Sequence, residues 1–157
     1  MCGVSGFWGP ADRALLEAMT AAQLHRGPDD FGFLETDAAS LGFRRLSIID
    51  LVTGAQPMST ADGLVHISYN GEVYNYRELR AELEALSHEF RTTCDTEVVL
   101  HAYAEWGTDC FRRFNGMWGL AILDQRGEQP RIVLARDHFG IKPMYYARSG
   151  DRMLFAS

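Results

Sequence analysis

Lysine is almost missing from this chain. Of its 15 basic residues only Lys142 is a lysine, and the other fourteen are arginine. Acidic residues outnumber them at 21, which leaves a net charge of −6. That balance argues against nucleic acid as the main partner, because phosphate binding needs a surplus of Lys and Arg. Arginine meets carboxylates with two parallel donors, so a basic set made almost entirely of Arg suits carboxylate recognition. Cysteine is scarce as well. Cys2, Cys94 and Cys110 are odd in number and far apart, and no two share a C-x-x-C spacing. This pattern argues against a disulfide framework and against a thiolate metal site. No apolar run approaches the ~20 residues of a membrane span. The first residues hold neither a basic region nor an apolar stretch of signal-peptide length, so the cytoplasm is the expected location and no membrane partner is expected. Repeats, low-complexity tracts and the Gly-x-x-x-x-Gly-Lys phosphate loop are also missing.

What is present is a globular composition. The chain has 157 residues, 46% of them apolar and 23% charged. That suits one domain of ~100–200 residues, large enough to bury ~68–70% of its unfolded surface.

Cys2 to Trp8 is short, apolar and punctuated by glycine, and reads as a buried strand. Asp12 is a helix N-cap for Leu15, Leu16, Met19 and Gln23 at helical spacing. Arg26-Gly27-Pro28-Asp29-Asp30 breaks that helix. Phe31–Glu35 and Leu41–Ile49 read as strands, and 54–63 as loop. Leu64–Tyr69 is β-rich, and Asn70-Gly71 after it is a hairpin signal with Glu72–Tyr74 as the return strand. Arg77–Leu86 is helical with Leu79, Leu83 and Leu86 on one face. Thr96–Trp106 is a further helix, with Asp95 placed as its N-cap. Met117–Leu123, Ile132–Ala135, Met144–Ala147 and Met153–Ala156 complete the strands. Strands in runs with helices grouped between them predict an α+β layered fold.

Cys2 is the cysteine in an unusual place. Once Met1 is removed, it carries a thiol and a free α-amino group in one residue. The thiolate is a nucleophile, and an N-terminal amine can act as its base. Thiol and α-amine pKa values of ~8.5 and ~7.7–8.0 make the internal proton transfer cost only about 1 kcal/mol. No histidine is needed. By itself, a cysteine in second place is more often a chain end without a role.

The surrounding motifs decide between those readings. Met1-Cys2-Gly3-Val4-Ser5-Gly6, His25-Arg26-Gly27-Pro28-Asp29 and Arg45-Leu46-Ser47-Ile48-Ile49-Asp50 occur in order. They are followed by Gly54-Ala55-Gln56-Pro57-Met58, Tyr69-Asn70-Gly71-Glu72-Val73-Tyr74-Asn75, Asp95-Thr96-Glu97 and Arg136-Asp137-His138-Phe139-Gly140-Ile141-Lys142-Pro143. This series resembles the class II glutamine amidotransferases, which are N-terminal nucleophile hydrolases. Asn-Gly-Glu followed by Tyr-Asn is similar to the glutamine-hydrolysing asparagine synthetase branch.

The resemblance implies an αββα sandwich, two antiparallel sheets between helical layers. It implies hydrolysis of the glutamine side-chain amide to glutamate and ammonia. Cys2 would be the nucleophile, and Asn70 and Gly71 the oxyanion donors. Arg45 would bind the α-carboxylate of glutamine through its two-pronged guanidinium. Leu46 and Ile48 would line the substrate site. Asp95, with Glu72 as the weaker partner, would hold the α-ammonium. Cys94 stands where the family has a small Ser or Gly, which weakens any side-chain hydrogen bond from that position. Asp137 is expected to tie its own turn.

No metal or cofactor is implied for this half. ATP and Mg²⁺ belong to a downstream synthetase domain that takes up the ammonia, and neither that domain nor its Ser-Gly-Gly-x-Asp-Ser loop is in the sequence. Residues 2–157 are therefore expected to form a glutaminase domain, truncated at its C-terminus. Two alternatives stay open: an amidotransferase serving an acceptor other than aspartate, and a non-catalytic binding domain that keeps the fold.

Overall fold

A computed structural model describes residues 1–46 and 54–157. Among them, nine strands and three α-helices follow one another along the chain. The strands are β1 (Gly3–Trp8), β2 (Asp30–Glu35), β3 (Ala39–Arg45), β4 (Met58–Ser59), β5 (Val65–Val73), β6 (Gly116–Asp124), β7 (Arg131–Arg136), β8 (Tyr145–Ser149) and β9 (Arg152–Ala156). The helices are α1 (Arg13–Ala21), α2 (Tyr76–Ala85) and α3 (Asp95–Trp106), and a 3₁₀ turn follows α3 at Gly107–Arg112.

The strands form two sheets, in the orders β2-β3-β1-β9-β8 and β4-β5-β6-β7. Every pairing is antiparallel. Period-2 alternation sorts the side chains. Val4, Leu41 and Phe43 of the first sheet meet Ala121 and Leu123 of the second in a core between the sheets. The opposite face of the second sheet carries Val65, Ile67 and Tyr69, which pack against Leu79 and Leu83 of α2 and Val98, Val99 and Tyr103 of α3. Burying each large apolar side chain is worth about 1.5–3 kcal/mol. On the far side of the first sheet, Leu16 of α1 is fully buried, and Ser5 and Thr20 share a hydrogen bond of 3.0 Å. The order is helix, sheet, sheet, helices, the α+β sandwich that the resemblance implied.

Most local expectations match. Asp12 caps α1, accepting the Leu15 N–H at 3.0 Å. Asp137 accepts the backbone amides of Trp118, Phe139, Ile141 and Lys142 and so ties its own turn. Burial opposes its ionisation, but those four donors outweigh it and hold the carboxyl below its usual range.

Four expectations do not match. Residues 54–63, expected as loop, hold the short strand β4. Asn70-Gly71 is no hairpin turn: β5 runs straight through it, with Asn70 opposite Gly119 and Gly71 opposite Trp118. Gly71 does not have a positive φ. Its glycine answers a different need, since a Cβ there would lie 2.6 Å from both the Met117 carbonyl oxygen and Trp118 Cβ. Asp95 is not the cap of α3 but its first residue, and Cys94 holds the cap position without a side-chain bond. Leu86 lies past the last turn of α2 and is exposed.

Candidate active site

Cys2, Arg45, Asn70 and Glu72 come from strand faces and ends that border the space between the sheets, and Asp95 approaches β5 from α3. Cys2 precedes β1, half-buried, beside the core between the sheets. The register pairs Gly3 with Arg44, so Cys2 lies next to Arg45 at the end of β3. Alternation sends the two arginines opposite ways. Arg44 turns toward α1, where its Nε donates to the Thr20 carbonyl at 3.3 Å. Arg45 shares the face of Leu41 and Phe43, toward the second sheet.

Leu46 contributes its backbone. Its N–H points at Cys2 Sγ at 3.4 Å, and its carbonyl lies 3.9 Å from the same sulfur. Arg26 supports the same residue from behind, donating Nε to the Cys2 carbonyl at 3.2 Å. Ile48 lies outside the described residues.

Asn70 and Glu72 sit on the second sheet, on the face turned toward the first. Asn70 is 4% exposed, yet its Nδ2 has no hydrogen-bond partner among the described residues. An unsatisfied buried donor costs about 1–3 kcal/mol, so it is the kind of group that is kept for a ligand or a reaction. Glu72 is exposed; burial of its carboxyl and the neighbouring Asp95 charge raise its pKa.

Asp95 faces β5 from the start of α3. One oxygen, Oδ2, accepts the Tyr69 hydroxyl at 2.7 Å and the Val73 amide at 3.0 Å. Burial pushes its pKa up and these bonds pull it down, and the net direction is up. Burial and the Asp95 carboxylate hold the Tyr69 phenol well above its ordinary range, so it stays a donor. Gly54 joins the two halves: a Cβ at Gly54 would lie within 4.0 Å of both Arg45 Nη2 and Cys94 Sγ. Cys94 in turn lies 3.0 Å from Thr92 Oγ1. Gly54 thus brings the end of the Arg45 side chain and the residue before Asp95 to one place.

Comparison with known proteins identifies the family. Residues 1–157 match the glutamine amidotransferase domain family. The chain belongs to that family. As a glutamine amidotransferase domain it is 41% identical, over its whole length, to asparagine synthetase [glutamine-hydrolyzing] 1 of Bacillus subtilis. It is 37% identical, over 92% of its length, to asparagine synthetase [glutamine-hydrolyzing] 2 of rice, Oryza sativa. It spans only about a quarter of these relatives, 26% and 25% of their lengths. Its fold is similar to that of the glutamine phosphoribosylpyrophosphate amidotransferase of Bacillus subtilis solved with ADP and GMP. That match has a TM-score of 0.80 at 20% identity, covering 99% of this chain and 41% of the other.

Two contacts at the candidate site escape sequence reasoning. Leu46 was singled out, but the atom that reaches Cys2 is its main-chain nitrogen, which no side-chain pattern signals. Tyr69 looked like strand filling, yet its hydroxyl is a donor to Asp95. Among the described residues, no group of three or more His, Cys, Asp or Glu is placed to hold a metal ion. No helix among them is long and apolar enough to cross a membrane.

Proposed function

We propose that this chain is the glutamine-hydrolysing part of an asparagine synthetase. The observation that carries this reading is the unpartnered, buried Asn70 amide on the sheet face opposite the one that bears Cys2. With Met1 removed, the Cys2 amine takes the thiol proton. The thiolate attacks the side-chain carbonyl carbon of glutamine, and the C=O electron pair moves onto oxygen. Asn70 Nδ2 and the Gly71 N–H donate to that oxyanion. The amine returns the proton to the leaving nitrogen, ammonia departs, and a thioester to Cys2 remains. Water, deprotonated by the same amine, cleaves the thioester to glutamate. Arg45 grips the α-carboxylate of glutamine and Asp95 its α-ammonium, with Glu72 beside it and Leu46 and Ile48 lining the site.

Every bond change is served by groups of the chain, so this half needs no cofactor. Residues 2–157 form the glutaminase domain. The synthetase part, where ATP and Mg²⁺ act, receives the ammonia, and aspartate is the acceptor. The reading also places the protein in the cytoplasm, with neither nucleic acid nor membrane as a partner. Ammonia release from glutamine tests it. The chain with Cys2 first should hydrolyse glutamine and the Cys2→Ala variant should not; near-normal activity in that variant would refute the nucleophile.

A further inference from the structure

The outer edge of β5 is completed by side chains instead of a strand. Alternate residues of a strand direct their backbone groups to the same edge, so Tyr69, Gly71 and Val73 all face away from β6. Strand β4 covers that edge only opposite His66 and Ile67. Past it, Gln56 Oε1 accepts the Tyr69 N–H at 2.6 Å, and Gln56 Nε2 donates to the Tyr69 carbonyl at 3.1 Å. A primary amide pairs with a peptide as a neighbouring strand residue would. Asp95 takes the next-but-one edge amide, Val73, at 3.0 Å. Gly71 lies between these two clamps, and its N–H points to the open edge they leave.

Gln56 is itself held from both sheets. Its carbonyl packs so tightly against Gly32 of β2 that a Cβ there has no room, and its Nε2 also reaches Thr96 Oγ1 of α3 at 3.4 Å. The geometry points to Gln56 as a positioning residue for glutamine hydrolysis. By pinning both backbone groups of Tyr69, it fixes the direction of the two donors that follow, the Asn70 amide and the Gly71 N–H. The inference rests on the reading of those two as the oxyanion hole. Such donors must be held within about 0.5 Å of their working positions, and a bare strand edge does not supply that.

Gln56→Met keeps the length of the side chain and removes both bonds. Glutamine hydrolysis is measured with Cys2 first in the chain and rates expressed per titratable Cys2 thiol, which removes the effect of any unfolded fraction. The variant should lose about 10- to 100-fold in kcat, the scale of a misplaced rather than deleted group, with KM within about twofold. Exchange of the Tyr69 amide proton should quicken while that of Val73 does not. Gly32→Ala, which displaces Gln56 without touching a donor, should lower kcat in the same sense and covers the case in which Gln56→Met fails to fold. An unchanged kcat per thiol, or a rise in KM alone, overturns the role of Gln56. A wild-type chain that releases no ammonia instead overturns the functional reading on which it rests.

Discussion

The Tyr69 hydroxyl donates to Asp95 Oδ2 at 2.7 Å, and the same oxygen accepts the Val73 amide at 3.0 Å. Strand β5 and helix α3 are thereby locked together at the candidate ammonium site. The phenol favours the ionised carboxylate, opposing the burial that disfavours it. Tyr69→Phe therefore pushes the Asp95 pKa further up. Binding of the substrate ammonium needs the carboxylate, so the acid limb of kcat/KM should move to higher pH. A pH profile of the two proteins checks this, and superimposable acid limbs would place the ammonium elsewhere.

Asn70→Ala deletes the unpartnered amide. One oxyanion donor is worth roughly 10²–10³ in kcat. Steady-state kinetics should show that loss in kcat with KM little changed. A change confined to KM would assign Asn70 to substrate binding instead.

The chemistry was more legible in the sequence than the backbone that presents it. Asp12 predicted the start of α1 because the capping bond is local. Asp137 predicted its own turn for the same reason: three of its four partners lie within five residues. Asn70-Gly71 misled because its local turn preference loses to pairing with Gly119 and Trp118, residues far along the chain. The absent side chain of Gly71 makes room for β6 and is not used to reach a positive φ. Asp95 misled in the same way, since Tyr69 and Val73 claim the carboxylate that would otherwise cap α3. Gln56 stood inside a motif, but its partner is the main chain of residue 69, and composition and periodicity are silent about such contacts.

Acid should weaken the fold at Asp124. This carboxylate is 3% exposed and accepts from Arg126, Arg131 and Tyr103. The Arg126 side chain is the main cause that holds its pKa far below the usual range, against burial. A pKa lower in the folded than in the unfolded chain gives stability that is present above the unfolded value, about 3.9, and is lost as pH falls through the folded value. Asp124→Asn should cost about 1.5–3 kcal/mol at pH 7, and the gap between the two proteins should narrow at strongly acidic pH. Urea unfolding at several pH values measures both; a gap independent of pH would contradict the ionic origin.

The three thiols should differ in reactivity. Burial pushes the Cys110 thiol up to about 12, which leaves almost no thiolate at pH 8. Alkylation of the native chain at that pH should spare Cys110 until the protein is unfolded. Peptide mapping reads the sites, and early labelling of Cys110 would show that α3 and the 3₁₀ turn open readily.

The central claim is that Cys2 works with its own amine as the base. It is tested most directly by comparing ammonia release from glutamine by two forms of the same chain, one beginning at Cys2 and one retaining Met1. Removing a general base slows a reaction by about 10²–10⁴. The form that begins at Cys2 should be active, and the Met1 form slower by that factor. Equal rates in the two forms would contradict the account.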